Sequence, residues 1–455
     1  MSEGAVTASA RPTRGDELEL TIESLAYGGA GVARREDGYV VFVRGGMPGD
    51  RVRVRIGKSK RAYAEADLTQ LLAPGPDRVE PLADHPGAPW QVLRYERQLA
   101  IKQEQVDDAL RRIGKLDGFE LEPIVPATEQ WRYRNKLEYS FGTDSDGRLV
   151  CGFHAPGRWD EIVEVRDCLL ASEPGNAARE RVVAFCRDQS LIAYDRRAGT
   201  GLLRNLVVRE GRRTGELQLR LITAPGEIDR EGLADALPGA SVMWTQNDSV
   251  GETTQGGDTE LLSGEERLRE ELRGLSLRIS SDAFFQTNTE MAEELYGIAI
   301  EYAGLRGSER LYDLYCGIGT IGLSMAPRAA ELFGLEIIED AVADAIDNAR
   351  TNEIQNARFF AGDVRLAMRD LVQTAGKPDV LVVDPPRAGL SQKIVRRIIE
   401  ADPKRIVYVS CNPTTLAPNA AQLVEAGYTL DRIRPVDMFP QTPHIECVAL
   451  LTKRA

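Results

Sequence analysis

Two side chains near the C-terminal end of this sequence have types and settings suited to covalent chemistry. Cys411 lies in Ser410-Cys411-Asn412-Pro413, directly after the apolar run Ile406–Val409, and Glu446 closes the stretch Phe439–Glu446 just before the apolar run Cys447–Leu451. A thiolate adds to electron-poor carbon, C6 of a uracil ring for example, and the addition turns the otherwise unreactive C5 into a nucleophile. A C5 that has reacted must then lose its proton, which requires a base on the face of the ring. A cysteine that leaves a strand and enters a helix near Thr414 is placed for a pKa below the usual ~8.5, because a helix N-terminus favours anions. Taken singly, each residue has a plainer reading. A cysteine at a strand end is ordinarily a small core residue, and an acid beside a strand is ordinarily a solvated end.

A second group of residues is spaced like the rim of a nucleotide site. The apolar segment Leu311–Tyr315 runs into Cys316-Gly317-Ile318-Gly319-Thr320-Ile321-Gly322, where glycines let the backbone turn sharply and approach a ligand closely. Glu336 ends the next apolar run, where an acid can accept hydrogen bonds from a ribose. Asp363 closes the following segment, and Val380–Val383 leads into Asp384-Pro385-Pro386-Arg387. The glycine pattern alone is a weak signal and equally suits a dinucleotide. An Asp-Pro-Pro turn at the mouth of a sheet is typical of methyltransferases acting on nucleobases and has no place in dehydrogenases.

The elements that would position these residues read as α/β. From Leu311 onward, apolar runs at Leu311–Tyr315, Glu331–Leu335, Val380–Val383 and Ile406–Val409 alternate with helical segments. Runs without polar alternation suit strands buried on both faces, hence a parallel, doubly wound sheet. Residues 16–73 instead show period-2 alternation and glycine turns, as in a small all-β unit that stops at Pro74-Gly75-Pro76. A helix with Leu99, Val106, Leu110 and Ile113 on one face ends at Gly114. Residues 131–280 mix short strands, such as Lys136–Phe141, Leu202–Val208 and Leu217–Ile222, with glycine-rich turns.

At 455 residues the chain suits roughly three domains. Its start lacks the apolar core of a secretion signal, and no apolar run approaches the ~18 residues of a membrane helix, so the cytoplasm is the expected compartment. The net charge of −13, from 57 basic and 70 acidic residues, argues mildly against nucleic acid. Local clusters argue the other way: between Arg44 and Arg61 seven basic residues accompany only Asp50, and Arg132, Arg134 and Lys136 lie among Trp131 and Tyr133. The six cysteines (151, 168, 186, 316, 411 and 447) include no C-x-x-C pair, so neither a disulfide framework nor a zinc site is expected.

Ser410–Pro413, Asp384–Gly389 and Phe439–Glu446, with Phe284-Phe285-Gln286-Thr287-Asn288 upstream, resemble the RNA (uracil-5-)-methyltransferase family of the RumA/TrmA type. Residues 16–73 resemble the TRAM RNA-binding module of its ribosomal members. The resemblance implies Cys411 as nucleophile and Glu446 as base. It implies Gln286, Tyr315, Glu336, Asp363 and Asp384 as contacts to S-adenosyl-L-methionine. The implied architecture is a TRAM-like β-barrel over 14–74, a central α+β RNA-binding domain over 75–280, and a Rossmann-like class I methyltransferase sheet over 281–455. In that arrangement the helix at 98–114 would pack on the catalytic domain. The implied substrate is RNA, with 23S rRNA favoured by the TRAM-like module and the T-loop uridine of tRNA as the alternative; a monomer is expected.

The chain departs from the family pattern in two respects. Where ribosomal members place four cysteines around an iron–sulfur cluster, this chain has Pro81, Gly87, Trp90 and Cys168, so no cluster is expected. Thr320 replaces an Asn that enterobacterial members use near the cofactor. Competing readings are a cytosine-C5 methyltransferase, a non-catalytic RNA-binding protein that kept the fold, and a dehydrogenase. The joint presence of Cys411, Glu446 and the Asp-Pro-Pro turn disfavours them.

Overall fold

The computed structural model describes residues 11–454. Residues 17–73 form a six-stranded sheet in the order Glu17–Thr21, Arg51–Ser59, Tyr63–Ala73, Val40–Arg44, Gly31–Arg34 and Ser24–Leu25. Alternation directs Leu20, Val41, Val43, Val52, Val54 and Ile56 into one core. Leu20 of the first strand in the order shares that core with Ala33 of Gly31–Arg34, the strand next to the other end, so the sheet curls into a small barrel.

The barrel corrects one expectation. The basic stretch from Arg44 to Arg61 is not an uncompensated cationic face. Antiparallel register sets Glu17 opposite Arg55 and Glu19 opposite Arg53, and these pairs close to 2.9 and 2.8 Å. Arg44 pairs with Asp67 and Lys58 with Glu65, each at 3.3 Å. The neutralising acids come from other strands, which a count along the chain does not register.

By compactness the chain divides into two units. The first comprises the chain up to Asp84, Ala88–Asp108 and Phe439–His444; the second comprises His85–Gly87, Ala109–Met438 and the chain from Ile445. Within the first unit the helix Tyr95–Asp108 buries Ile101 with Leu25, Met47, Trp90 and Leu93. The same helix grips Phe439–Gln441: Gln98 and Gln441 exchange two hydrogen bonds at 2.8 and 3.0 Å, and Lys102 Nζ donates to Phe439 O at 3.1 Å. The expected single helix to Gly114 changes character at Ala109–Ile113, a π-helical turn that belongs to the second unit. There a side chain on Gly114 would strike Leu110 O and Ala417 O, which is why only glycine ends it.

In the second unit a seven-stranded sheet covers residues 136–263, in the order Ile162–Glu164, Leu149–His154, Lys136–Thr143, Leu203–Glu210, Leu217–Thr223, Ser241–Gln246 and Asp258–Ser263. The C-terminal sheet contains β1 (Arg310–Leu314), β2 (Glu331–Glu336), β3 (Ala357–Ala361), β4 (Val380–Val383), β5 (Arg405–Ser410), β6 (Tyr428–Val436) and β7 (Glu446–Lys453). Their order is β3-β2-β1-β4-β5-β7-β6, with the short strand Glu120–Leu121 beyond β6. All pairs from β3 to β5 are parallel, and only β7 runs antiparallel to its neighbours β5 and β6. The helices are α1 (Thr289–Ala303), α2 (Thr320–Met325), α3 (Glu339–Thr351), α4 (Val364–Ala375), α5 (Gln392–Ala401) and α6 (Pro413–Glu425).

Four residues of β4 and four consecutive residues of β5 are fully out of water, as unalternated apolar runs require. A hairpin, Arg267–Leu272 with Leu275–Ser280, docks on α3 by matching a strand to a helix. Asp344, Asn348 and Asn352, one helical turn apart, accept the backbone N–H of Ser280, Arg278 and Ser276, two residues apart, at 2.8–2.9 Å. One helical turn and two strand residues have nearly the same rise, so three bonds form in step. Among the described residues no helix is long and apolar enough to cross a membrane.

Candidate active site

The carboxyl ends of β1, β2, β4 and β5 carry most of the residues singled out in the sequence. At β5, Asn412 caps α6: its Oδ1 accepts Thr414 N at 3.0 Å and Thr414 Oγ1 at 2.7 Å, with Pro413 at the first helical position. Its Nδ2 donates to Arg387 O at 3.1 Å, and Thr415 Oγ1 donates to the same carbonyl at 3.3 Å. Asn419, inside α6, donates to Leu390 O and accepts Leu390 N at 2.9 and 2.8 Å. The loop holding Cys411 is thereby stitched to the Asp384–Gly389 loop. A side chain at Gly389 would collide with Asn419 and Thr415, so the close approach needs glycine.

Cys411 is half-buried. Burial, then the negative charges of Glu446 and Asp384, push its thiol up to about 12, with Arg387 opposing. This reverses the depressed pKa expected from the helix N-terminus: desolvation and two carboxylates outweigh a dipole end. Glu446 opens β7 and is 3% exposed. One of its carboxyl oxygens is buried without a hydrogen-bond partner among the described residues. Burial and Asp384 hold its pKa well above the usual carboxylate range, against the pull of Arg387. Asp384, half-buried after β4, is pushed up to about 7 by burial.

The glycine turn after β1 forms a cradle. Tyr315 has φ 62° and Gly317 φ 53°, and a Cβ on Gly317 would meet nothing within 4 Å. The backbone there opens onto free space that a ligand can enter. Glu336 is fixed rather than free: its Oε2 accepts Gly317 N at 3.1 Å, and its Oε1 accepts Ile337 N and Ile338 N at 2.7 and 3.0 Å. A carboxylate so held keeps one lone pair, on Oε2, for a hydroxyl. Ile337 and Ile338 are exposed apolar side chains beside it. Burial, with the charges of Asp363 and Glu336, pushes Tyr315 up to about 12, so both acids lie within electrostatic reach of it. These groups suit an adenosine: hydroxyl acceptors, a glycine approach and apolar cover.

Asp363 also has a structural duty as N-cap of α4, accepting Arg365 N at 2.7 Å. Gln286 is buried, and its main-chain carbonyl accepts Asn135 Nδ2 at 2.9 Å; among the described residues no hydrogen bond joins it to the other candidates. It is located by Asn288, which caps α1 and donates to Met438 O at 2.9 Å. Thr320 Oγ1 lies 3.2 Å from Tyr296 OH in the interior. The sequence reading passed over three residues of the site: Arg387, whose charge reaches both Cys411 and Glu446, and the stitching pair Asn412 and Asn419. Arg387 was visible as the end of Asp-Pro-Pro-Arg, whereas Asn419 carried no local signal.

Cys168 stands apart. It is buried, with its Sγ 3.2 Å from His85 Nε2, and no group of three or more His, Cys, Asp or Glu among the described residues is arranged to hold a metal.

Known proteins resemble this chain in sequence and fold. The family model described as tRNA (Uracil-5-)-methyltransferase matches residues 259–454, and that of the TRAM domain matches residues 11–69. A protein of Halalkalibacterium halodurans described as an uncharacterized RNA methyltransferase is 37% identical over 448 residues, 96% of this chain and 97% of its own. One from Bacteroides thetaiotaomicron, described likewise, is 37% identical over 94% of this chain and 100% of its own. Among solved structures, Pyrococcus abyssi tRNA (uracil-54, C5)-methyltransferase in complex with S-adenosyl-L-homocysteine superposes with a TM-score of 0.80 at 30% identity, covering 95% of this chain and 99% of that one. With a TRAM domain ahead of a Rossmann-like sheet, this chain belongs to the RNA (uracil-5-)-methyltransferase family, enzymes that use S-adenosylmethionine.

Proposed function

We propose that the protein methylates C5 of one uridine in RNA through a covalent bond between Cys411 and C6. The observation that carries the reading is the meeting of Cys411 and Glu446 at one edge of the sheet, within reach of each other's charge. Cys411 Sγ, as thiolate, forms the bond to C6, and the electron pair of the C5–C6 double bond moves towards C5 and O4. S-adenosylmethionine, which Tyr315, Glu336, Asp363, Asp384 and Gln286 would hold, supplies the methyl group for C5 as its bond to the sulfonium sulfur breaks, leaving S-adenosylhomocysteine. Glu446, as carboxylate, removes the C5 proton; the C5–C6 double bond re-forms and the C6–S bond breaks, returning the thiolate. A buried carboxylate with a raised pKa is the stronger base for a carbon acid. The uridine must leave its stack to reach this edge.

The TRAM module at the start and the central sheet supply RNA-binding surface, with divisions near 74 and 280, and the enzyme works as a cytoplasmic monomer. Ribosomal 23S RNA is the substrate favoured by the TRAM module. A second reading, the T-loop uridine of tRNA, is favoured by the whole-length likeness to the Pyrococcus abyssi tRNA enzyme. Mapping 5-methyluridine in rRNA and tRNA from cells with and without the gene tests both. Loss from rRNA supports the first reading, loss confined to tRNA selects the second, and no loss from either overturns the activity.

A further inference from the structure

One edge of the central sheet carries a cavity of about 230 Å³ that contains none of the residues assigned to catalysis or cofactor. Its walls combine aromatic faces and guanidinium groups. Trp159 is 54% exposed, a large apolar surface for a side chain left in water, and the Arg197 guanidinium lies over its ring at 5.0 Å. Tyr194 and His154 line the floor with Arg196. Arg204 stacks over Tyr194 at 5.0 Å and is held by the carbonyls of Asn247, Ser249 and Gly251 at 2.6–2.7 Å.

The floor is rigid. Glu252, brought in from the loop after Ser241–Gln246, accepts from Ser140 Oγ and from Asn205 Nδ2 at 2.9 Å, meets His154 Nε2 at 2.7 Å, and pairs with Arg196. The rim is not. At the rim Arg197 also pairs with Asp160 at 2.5 Å, and its side chain is 67% exposed. Asp195 shapes the turn that presents it, accepting Arg197 N at 2.8 Å. Burial and the neighbouring Arg204 lower the pKa of Arg196, so two guanidiniums crowd one wall.

An exposed tryptophan beneath an exposed arginine suits an unpaired nucleotide, because every base offers a π-face and its backbone offers a phosphate. The space admits one ring system and its sugar, not a base pair. We propose that the Trp159–Tyr194–Arg197 cavity binds a single unpaired nucleotide of the RNA substrate, its base against Trp159 and its phosphate at Arg196 and Arg197. This anchor would lie outside the methylation site and fix which RNA loop is presented. The proposal rests on RNA being the substrate.

The test uses the full chain, a fluorescein-labelled single-stranded RNA of mixed sequence as binding probe, and total RNA from cells lacking the gene as methyl acceptor. Trp159→Ala is expected to weaken RNA binding about tenfold, the loss of one stacked base, and Trp159→Phe to restore most of it. Arg197→Gln is expected to weaken binding and flatten its salt dependence by about one phosphate contact. The defect should appear chiefly in KM for RNA, with S-adenosylmethionine affinity unchanged as the control for folding. RNA binding by Trp159→Ala at the wild-type level overturns the proposal. So does a parallel loss of S-adenosylmethionine binding in all three variants, which would mark the cavity as purely structural. A wild-type protein that binds the probe through Trp159 but methylates nothing would overturn the activity proposed above and leave this site standing.

Discussion

Cys411 and Glu446 each lie one residue beyond the Ser410–Cys447 pair, which ends the antiparallel register of β5 and β7. Every other candidate on the sheet sits at the carboxyl end of a parallel strand. Glu446 reaches that edge from the opposite direction, at the start of the inserted strand β7. The insertion therefore lets an amino end and a carboxyl end meet, with Cys411 on the loop that leaves the ladder. It also sets two acidic groups, Glu446 and Asp384, around a thiol, with Arg387 the opposing charge.

The first prediction concerns that thiol. At pH 8 a group near 12 is ionised to roughly one part in ten thousand, against about a quarter for an ordinary thiol near 8.5. Because its pKa is raised, reactivity should climb with pH well beyond 9. The other five cysteines are buried, so native iodoacetamide labelling reads Cys411. S-adenosylmethionine, a cation, should accelerate labelling more than neutral S-adenosylhomocysteine, since it counters the charge of Asp384. Labelling that is fast at pH 7 and flat above it would contradict this picture of the free site.

A second prediction concerns Asp313, in the middle of β1 and fully buried. Its Oδ2 accepts Gly322 N at 2.9 Å, while Oδ1 has no hydrogen-bond partner among the described residues. Burial, opposed by that N–H and reinforced by Asp384 and Glu336, pushes it up to about 7. A carboxyl raised in this way takes up a proton on folding between about pH 4 and pH 7. Stability therefore falls as pH rises through that window and stays lower above it. Asp313→Asn keeps an acceptor for Gly322 and removes the charge. Its Tm at pH 8 should exceed wild type by a few degrees, with little difference at pH 4. A lower Tm at pH 8 would mean that the fold requires the anion.

Much of this site was legible because its strands are buried on both faces. Val380–Val383 and Ile406–Val409 could only be central strands, and the residues that follow them, Asp384 and Cys411, had to emerge at one edge. Glu446 was legible by its place before an apolar run, although its partner in register was not. What escaped depends on groups far apart in sequence. The acids that neutralise Arg53 and Arg55 lie 34 and 38 residues earlier. The sign of the Cys411 shift depended on Glu446 and Asp384, not on the helix beside it. Asn419 is a polar residue within a helix until the fold brings Leu390 to it.

A third prediction follows from Cys168. Pro81, Gly87 and Trp90 offer no iron ligand, Trp90 is buried among apolar side chains, and the Cys168 thiol already faces His85. Protein purified without oxygen should be colourless, with far less than one iron per chain, and should keep its Tm in the presence of a chelator. Stoichiometric iron with a visible charge-transfer band would require a cluster site that these residues do not explain.

The last prediction separates the roles of Cys411 and Glu446 by where each variant stops. Cys411→Ala removes the atom that bonds C6, so it should bind RNA and S-adenosylmethionine yet form no covalent species. Glu446→Gln keeps the thiol and removes the base. It also removes a buried acid whose charge raises the thiol, so addition to C6 should be no slower than in wild type. Neither addition nor methylation of C5 needs the base, whereas breaking the C6–S bond requires loss of the C5 proton. Glu446→Gln should therefore accumulate a methylated protein–RNA adduct that survives denaturation, with turnover reduced about 10²–10⁴-fold, the usual worth of a general base. Slow release by water reaching C5 fits the same scheme. Near-normal turnover in Cys411→Ala would show that the nucleophile is another group. Normal turnover without adduct in Glu446→Gln would move the base elsewhere, with Asp384, half-buried beside the same thiol and pushed up to about 7, the next residue to replace.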